Sequence, residues 1–130
     1  MSYVATHTGR CLCGAVTYSY DPPVKWMAHC HCESCRRATS SAFTSYFCVR
    51  DGQWQWTGAA PQTYESSPDV WRDFCPTCGS PMAYRAKRYP GEIHFHAATL
   101  TADTHFIPTI HVHADEAVGW VQLGDNLRRK

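Results

Sequence analysis

Eight cysteines in 130 residues constrain this chain more than any other feature of its sequence. Seven of them fall into three short clusters, which are Cys11 with Cys13, Cys30 with Cys32 and Cys35, and Cys75 with Cys78. Clustered cysteines form disulfides in secreted proteins and bind metal in reducing compartments. The segment from Met1 to Thr8 lacks the basic and apolar parts of a signal peptide. We therefore expect a cytoplasmic protein whose cysteines bind metal.

The rest of the composition is typical of a folded globular protein. Apolar residues make up 44% of the chain and charged residues 18%, and the formal net charge is +1. Such a small charge provides no field to attract nucleic acid. No apolar run approaches the roughly 18 residues that a membrane-spanning helix requires. We expect one domain over residues 1–130 that binds neither nucleic acid nor membrane.

Alternating apolar and polar residues predict a mainly β fold of short antiparallel strands with few short helices. The predicted strands are Ala15–Tyr20, Ser45–Val49, Gln53–Thr57, Glu92–Ala97 and Thr109–His113. The strongest helical signal is weak and covers Cys35–Phe43. The cysteine clusters therefore lie in or near the turns between predicted strands.

Cys75-Pro76-Thr77-Cys78-Gly79 has the form of a zinc knuckle, in which two thiolates three positions apart face one ion. Gly79 provides the positive φ angle with which the chain leaves such a turn. A knuckle supplies half of a tetrahedral site, and Cys11 with Cys13 are the obvious partners. The sequence thus predicts a closed four-cysteine structural zinc site.

Cys30, Cys32 and Cys35 remain for a second zinc ion. Three protein ligands and an exchangeable fourth position are typical of a catalytic zinc, whereas four protein ligands are typical of a structural one. The alternative is that Cys48, His29 or His31 completes this site and makes it inert. Cys48 lies in an apolar run and is predicted to be a buried small hydrophobic residue.

Several other side chains are candidates for binding. Arg36 and Arg37 follow the second cluster and are predicted to bind a carboxylate of the substrate, or else to be solvated or paired locally. His94 with His96, and His111 with His113, share strand faces by their two-residue spacing. We expect these four histidines to be surface or partly buried strand residues rather than metal ligands.

The three clusters with their neighbours resemble the glutathione-dependent formaldehyde-activating family, also called the centromere-protein-V/GFA domain. The matching segments are Gly9–Val16, His29–Arg37 and Phe74–Pro81, and the resemblance extends from about Gly9 to Trp120. It implies a small zinc-binding β-tent domain with two zinc ions. It assigns Cys11, Cys13, Cys75 and Cys78 to a structural ion and Cys30, Cys32 and Cys35 to a catalytic ion.

The resemblance also implies an activity, the condensation of glutathione with formaldehyde to S-hydroxymethylglutathione, which is classed as a carbon–sulfur lyase reaction. The expected partners are a small thiol such as glutathione and an aldehyde. His111 lies where family members often carry a histidine, so it is the best of the four for a pocket role. The alternative is a zinc-stabilised binding or scaffold module with a catalytically inert second site.

Overall fold

Short strands make up most of the structure, a computed structural model that describes residues 6–130. Within that range the strands are β1 His7–Arg10, β2 Thr17–Tyr20, β3 Trp26–Cys30, β4 Thr44–Arg50, β5 Trp54–Trp56, β6 Gln62–Ser67, β7 Val70–Phe74, β8 Pro81–Ala86, β9 Glu92–His96, β10 Ile110–Val112 and β11 Arg128–Arg129. The α-helix α1 covers Glu33–Thr39, and one-turn 3₁₀ helices lie at Ala97–Thr99, Asp103–His105 and Ala114–Glu116. The predicted mainly β fold with few short helices is confirmed.

The strands form two sheets. One has three strands in the order β1-β2-β5, and the other has eight in the order β11-β10-β3-β4-β9-β8-β7-β6. Neighbouring strands are antiparallel except β10, which pairs in parallel with both β3 and β11. The antiparallel prediction therefore holds for most of the structure and is wrong at β10. No helix within residues 6–130 has the length and hydropathy needed to cross a membrane.

The five predicted strands correspond to β2, β4, β5, β9 and β10, with ends that differ by up to two residues. The helix begins two residues before the predicted start and ends earlier than predicted, because Ser40 takes a left-handed conformation with φ 54°. Strand β6 gave no sequence signal, since all six of its residues are exposed and no apolar side chain alternates along it. Strands on a sheet edge need no buried face.

The main core lies between the two sheets. Tyr18 of the small sheet stacks on Phe95 of the large sheet, with ring centroids 4.0 Å apart and an interplanar angle of 10°. Phe47 and Val49 of β4 join this core, and both are fully buried. Burial of such large apolar side chains is the main stabilising contribution.

A second cluster of buried residues lies on the opposite face of the large sheet. It contains Tyr46 from β4 and Tyr84 from β8 together with Cys30 and Cys35. Successive side chains of a strand point to opposite faces, so β4 places Phe47 in one cluster and Tyr46 in the other. The middle strands of the large sheet are thus covered on both sides.

We expect Phe95→Ala to lower the free energy of unfolding by about 3–5 kcal/mol, since it removes a buried ring and leaves a cavity between the sheets. Urea denaturation at a fixed zinc concentration measures the change. Ile107→Ala is the control, because Ile107 is 71% exposed and its truncation is expected to cost no more than about 0.5 kcal/mol. Equal losses in the two variants would contradict this placement of the core.

Candidate metal centres and the adjoining cavity

Four cysteines from the two sheets meet at one point. Cys11 and Cys13 lie in the loop between β1 and β2, and Cys75 and Cys78 lie in the turn between β7 and β8. The sulfur of Cys13 is 3.6 Å from that of Cys11 and 3.7 Å from that of Cys75, and all four sulfurs lie within 4.8 Å of one another. Zn–S bonds of about 2.3 Å place two sulfurs of a tetrahedral site about 3.8 Å apart. This four-cysteine group is therefore compatible with zinc binding.

The turn that carries Cys75 and Cys78 has the local structure of a knuckle. The backbone N–H groups of Thr77 and Cys78 both donate to the sulfur of Cys75 at 3.4 Å. Gly79 leaves the turn at φ +78°, as the sequence predicts. A hydrogen bond with the Ser80 hydroxyl, at 3.1 Å, lowers the pKa of Cys78 to about 5. The contact with Ser80 favours the thiolate form of Cys78, which is the form that binds metal.

Cys30, Cys32 and Cys35 form a second group, hereafter the three-cysteine group. Cys30 ends β3, Cys32 caps the N-terminus of α1, and Cys35 lies in the first turn of that helix. The sulfurs of Cys30 and Cys35 are 3.9 Å apart, and all three sulfurs lie within 4.8 Å of one another. Only two residues separate the end of β3 from the start of α1, and this short connection brings the three sulfurs of the C-x-C-x-x-C motif together. The group is therefore also compatible with zinc.

Cys35, the most buried of the three cysteines, lies in surroundings that favour a negative charge on its sulfur. Hydrogen bonds from Cys30 and Cys32 lower the pKa of Cys35, and the Tyr46 hydroxyl, which donates to its sulfur at 3.5 Å, acts in the same direction. The backbone N–H of Cys35 in turn donates to the sulfur of Cys32 at 3.3 Å. The surroundings therefore stabilise the thiolate form of Cys35.

Arg72 of β7 lies beside the three-cysteine group and is only 5% exposed. Its Nη2 atom is 4.0 Å from the sulfur of Cys35. Its guanidinium also donates to three hydroxyl groups, those of Ser34, Tyr46 and Ser66. The adjacent Asp73 carboxylate is paired with Arg85 at 2.7 Å, and within residues 6–130 Arg72 has no carboxylate partner. The thiolate of Cys35 thus offers this buried cation a negatively charged partner.

A cavity of about 310 Å³ adjoins the three-cysteine group. All three cysteines line it, and most of its other walls are aromatic or aliphatic. These other lining residues are Trp26, Ala28, Tyr46, Tyr84, Arg88, Tyr89, His94, Ile110, Val112 and His113. A larger depression of about 680 Å³ lies elsewhere and includes Cys11 as its one lining cysteine. Of these two cavities, only the smaller has three sulfurs converging on its wall.

None of the residues considered for a fourth position belongs to the three-cysteine group. Cys48 is fully buried, as predicted, but its thiol donates to Glu92 at 2.9 Å. The Nε2 atom of His31 lies 2.8 Å from Nδ1 of His111, and the ring of His29 packs within 5.0 Å of the same residue. These side chains are engaged away from the three sulfurs.

The expectation for the histidine pairs is wrong in one respect. His94, His96 and His111 are buried rather than at the surface, and only His113 is substantially exposed. His111 is fully buried and its Nε2 atom lies 2.9 Å from the Asp125 carboxylate, so it does not line the cavity. The alternation with apolar residues suggested one solvated face, whereas the large sheet is covered on both faces.

Arg36 and Arg37 lie on α1 but do not line the cavity. Arg36 donates from Nε to the backbone oxygen of His31 at 3.1 Å, and Arg37 forms an exposed ion pair with Glu33 at 3.1 Å. Both arginines line a separate shallow depression beside Trp120. Their binding of a substrate carboxylate stays a prediction.

Sequence reasoning missed a third group of polar side chains, formed by Cys48, Glu92 and His94. One carboxylate oxygen of Glu92 accepts from the Cys48 thiol at 2.9 Å and from Nε2 of His94 at 2.7 Å. Its other oxygen accepts from Lys25 at 2.8 Å. Cys48 and His94 are direct partners in the register of β4 and β9. The spacing of Glu92 and His94 on one strand face was visible in the sequence, but their partner across the sheet was not.

The fold is mainly β, and it brings four cysteines together in one place and three beside a cavity. These are the donor sets of a zinc-binding protein. The profile of the glutathione-dependent formaldehyde-activating enzyme family matches residues 6–116, and the chain belongs to this family. The predicted resemblance is thus confirmed.

The crystal structure of a Rhodobacter sphaeroides protein, a structural-genomics target, has a similar fold with a TM-score of 0.62 and 22% identity. That match covers 78% of this chain and 97% of the other. A search of curated proteins gives no significant match.

We expect the ionisation of the Glu92 carboxylate to make the free energy of unfolding depend on pH. Burial opposes its ionisation, but hydrogen bonds from Cys48, Lys25 and His94 outweigh burial and lower its pKa to about 2. A carboxyl group with a lowered pKa stabilises the fold above its unfolded pKa of about 4.3 and loses that contribution as the pH falls toward 2. Glu92→Gln removes it. We expect the variant to be less stable than the wild type by up to about 3 kcal/mol at pH 7.

The difference between Glu92→Gln and wild type should narrow as the pH is lowered from 5 to 2.5, as measured by urea denaturation at each pH. Glu33→Gln is the control, since Glu33 forms an exposed pair with Arg37 that is worth about 0–1 kcal/mol. A difference between Glu92→Gln and wild type that does not change with pH would contradict the assigned ionisation.

Proposed function

We propose that this protein is a zinc-dependent enzyme that joins a thiol to an aldehyde, or splits the adduct, by a reaction of the carbon–sulfur lyase type. The family name indicates glutathione and formaldehyde as the pair. The observation that carries the proposal is the convergence of three cysteine sulfurs on the wall of a largely apolar cavity. A site with three protein ligands beside a cavity is typical of catalytic zinc.

The proposed ligand sets follow the two sulfur groups. Cys11, Cys13, Cys75 and Cys78 would hold a structural ion that joins the loop of the small sheet to a turn of the large one. Cys30, Cys32 and Cys35 would hold the second ion at the cavity. When bound there, zinc stabilises the thiolate form of a substrate thiol and polarises a carbonyl oxygen. The soft thiolate donors of both groups support zinc over harder, oxygen-preferring cations.

The residues around the cavity have distinct proposed tasks. The rings of Trp26, Tyr84 and Tyr89 exclude water from the reacting atoms, which strengthens every electrostatic interaction there. Tyr46 donates to Cys35 and orients the thiolate. Arg88 donates to the Tyr84 hydroxyl at 3.1 Å and lines the cavity, so it is placed to contact a carboxylate of an entering thiol.

Arg36 and Arg37 are proposed to meet a second carboxylate of a glutathione-like thiol that extends beyond the cavity. Their guanidinium groups lie on the same helix as Cys35, although outside the cavity itself. We also propose a cytoplasmic location, because eight reduced cysteines suit a reducing compartment.

Metal counting on wild type and Cys32→Ser tests the two-site assignment. Serine is a good helix N-cap, so this substitution removes a metal ligand while keeping the cap of α1. We expect two zinc ions per chain in the wild type and one in Cys32→Ser, by mass spectrometry of the native protein. Cys48→Ser should keep both ions. One ion in the wild type, unchanged in Cys32→Ser, would contradict the assignment.

The reaction itself is tested by NMR exchange between formaldehyde, glutathione and their adduct. Wild type should accelerate the exchange, and Cys32→Ser should lose at least a hundredfold of that acceleration because the ligand set is broken. A wild-type protein that carries two zinc ions and accelerates nothing would overturn the proposed enzyme. It would favour the binding or scaffold alternative.

Arg72 provides a further test of the second ion. Three thiolates around a dication carry one net negative charge, and the buried Arg72 guanidinium, 4.0 Å from the Cys35 sulfur, offsets it. We expect Arg72→Met to weaken zinc binding at the three-cysteine group by about 10- to 100-fold, since a charge pair 4 Å apart is worth up to about 4 kcal/mol at the effective dielectric of a protein. Competition with a chromophoric chelator measures the affinity.

Arg85→Met is the matched control for Arg72→Met, because Arg85 pairs with Asp73 instead of a cysteine. The four-cysteine group serves as an internal control, and its affinity should stay unchanged. Arg72→Lys, which retains the charge, should recover part of the loss. Equal weakening of both zinc sites in Arg72→Met would show a general loss of structure and would contradict a local charge effect.

A further inference from the structure

His94 of β9 is held in one orientation at the wall of the cavity. Its ring stacks on Tyr84 with centroids 5.4 Å apart and an interplanar angle of 22°. Trp26 packs against it edge-on at 4.6 Å. Its Nε2 atom lies 2.7 Å from the carboxylate of Glu92. Ring packing and the hydrogen bond together fix both the position and the rotation of the imidazole.

The distances from the Glu92 carboxylate to its partners are those of hydrogen bonds and are shorter than the distances between ligand atoms of a metal site. Ligand atoms about 2.0–2.3 Å from a tetrahedral zinc lie about 3.3–3.8 Å apart. Here the carboxylate oxygen is 2.7 Å from His94 and 2.9 Å from Cys48, and Lys25 donates to the other oxygen at 2.8 Å. Three donors around one carboxylate form a satisfied network on their own.

The hydrogen bond to Glu92 determines which nitrogen of His94 carries the proton. An ionised carboxylate only accepts, so Nε2 of His94 is the protonated nitrogen and Nδ1 of the neutral ring is a free base. Within residues 6–130, the Nδ1 atom of His94 has no hydrogen-bond partner, and this atom is not completely buried. His94 lines the cavity together with the three-cysteine group, and its Nδ1 atom is not sealed inside the protein.

We propose that His94 is the residue that moves the proton during thiol–aldehyde addition in this cavity, and that Glu92 is the positioning residue behind it. This proposal rests on the proposed function. Nδ1 takes the proton of the substrate thiol as the sulfur lone pair forms the carbon–sulfur bond. The carbonyl π electrons move to the oxygen, and Nδ1 returns the proton to that oxygen. The reverse reaction uses the same path, and no oxidant or reductant is needed.

The protonation state of His94 suits a base at neutral pH. Burial lowers its pKa below the ordinary value, while the hydrogen bond and charge of Glu92 oppose that shift. The cation His94⁺ formed during the reaction is therefore stabilised by a carboxylate that is already ionised. Among the other titratable groups, Tyr46, Tyr84 and Tyr89 pack against the ring, and Cys48 is its partner across the strand pair. Lys25 and Cys35 act on it through their charges, and Arg88 lines the same cavity.

The proposal is tested on the zinc-loaded protein with His94→Gln. We expect the exchange rate of formaldehyde, glutathione and adduct to fall by about 100-fold or more, the usual contribution of a general base, with both zinc ions retained. His105→Gln is the matched control, because His105 lies in the 3₁₀ helix Asp103–His105 and does not line the cavity. It should keep the wild-type rate within about threefold.

A second variant and a spectroscopic measurement cover the case in which His94→Gln fails to fold. His94→Phe keeps an aromatic ring between Tyr84 and Trp26 but has no base, and it should show the same loss of rate. Nitrogen-15 NMR of the imidazole in the wild type should show the Nε2-protonated tautomer of His94. This readout does not depend on activity.

Glu92→Gln separates positioning from mere structural support. Loss of the carboxylate removes a contribution that raises the pKa of His94, so the acid limb of the rate–pH profile should move to lower pH. The NMR spectrum of this variant should show the Nδ1-protonated tautomer gaining population. A purely structural role for Glu92 would lower the amount of folded protein without moving the limb or the tautomer.

The outcomes distinguish this proposal from the one on which it rests. A wild type that accelerates the exchange while His94→Gln and His94→Phe are equally fast would overturn the role of His94 alone. Loss of a zinc ion in His94→Gln would make His94 a metal ligand and would also overturn it. A wild type with no acceleration would overturn the proposed function and this inference together.

Discussion

Strands β4 and β9 are buried on both faces, and the rest of the structure depends on this constraint. Phe47 and Phe95 face the small sheet and form the main core, whereas Tyr46 and His94 face the cavity. Because side chains of a strand alternate between faces, the same two strands provide both the stabilising core and the chemical site. A polar residue on the second face cannot rely on water and needs a protein partner, so it is held rigidly.

The buried charges of the large sheet are each balanced locally. Arg72 lies against the three-cysteine group, while its neighbour Asp73 is paired with Arg85. Glu92 is balanced by Lys25 and by two further hydrogen-bond donors. Uncompensated charges in such positions would cost several kcal/mol each. The electrostatics therefore separate into an anionic sulfur group with its own cation and an anionic carboxylate with its own cation.

Sequence patterns located β2, β4, β5, β9 and β10 because each has a two-residue period or a short apolar run. They missed six strands, which are β1, β3, β7, β8, β11 and the exposed edge strand β6, the last of which has no apolar face. The parallel pairing of β10 with β3 was not predicted either, since it joins segments about 80 residues apart in sequence. They also placed His94 and His96 too near the surface. An apolar–polar alternation usually indicates one solvated face, and only the covering of the second face by other elements changes that meaning.

The sequence by itself determined the cysteine spacings within each cluster, the turn at Gly79 and the family, because ligand spacing and turn geometry are local properties of the chain. The tertiary structure alone decided which side chains join the cysteines. Arg72 is 37 positions from Cys35, and Glu92 is 44 positions from Cys48. These contacts depend on the strand order and on the pairing register of the sheet. A shift of one residue in that register would turn every side chain of the strand to the opposite face.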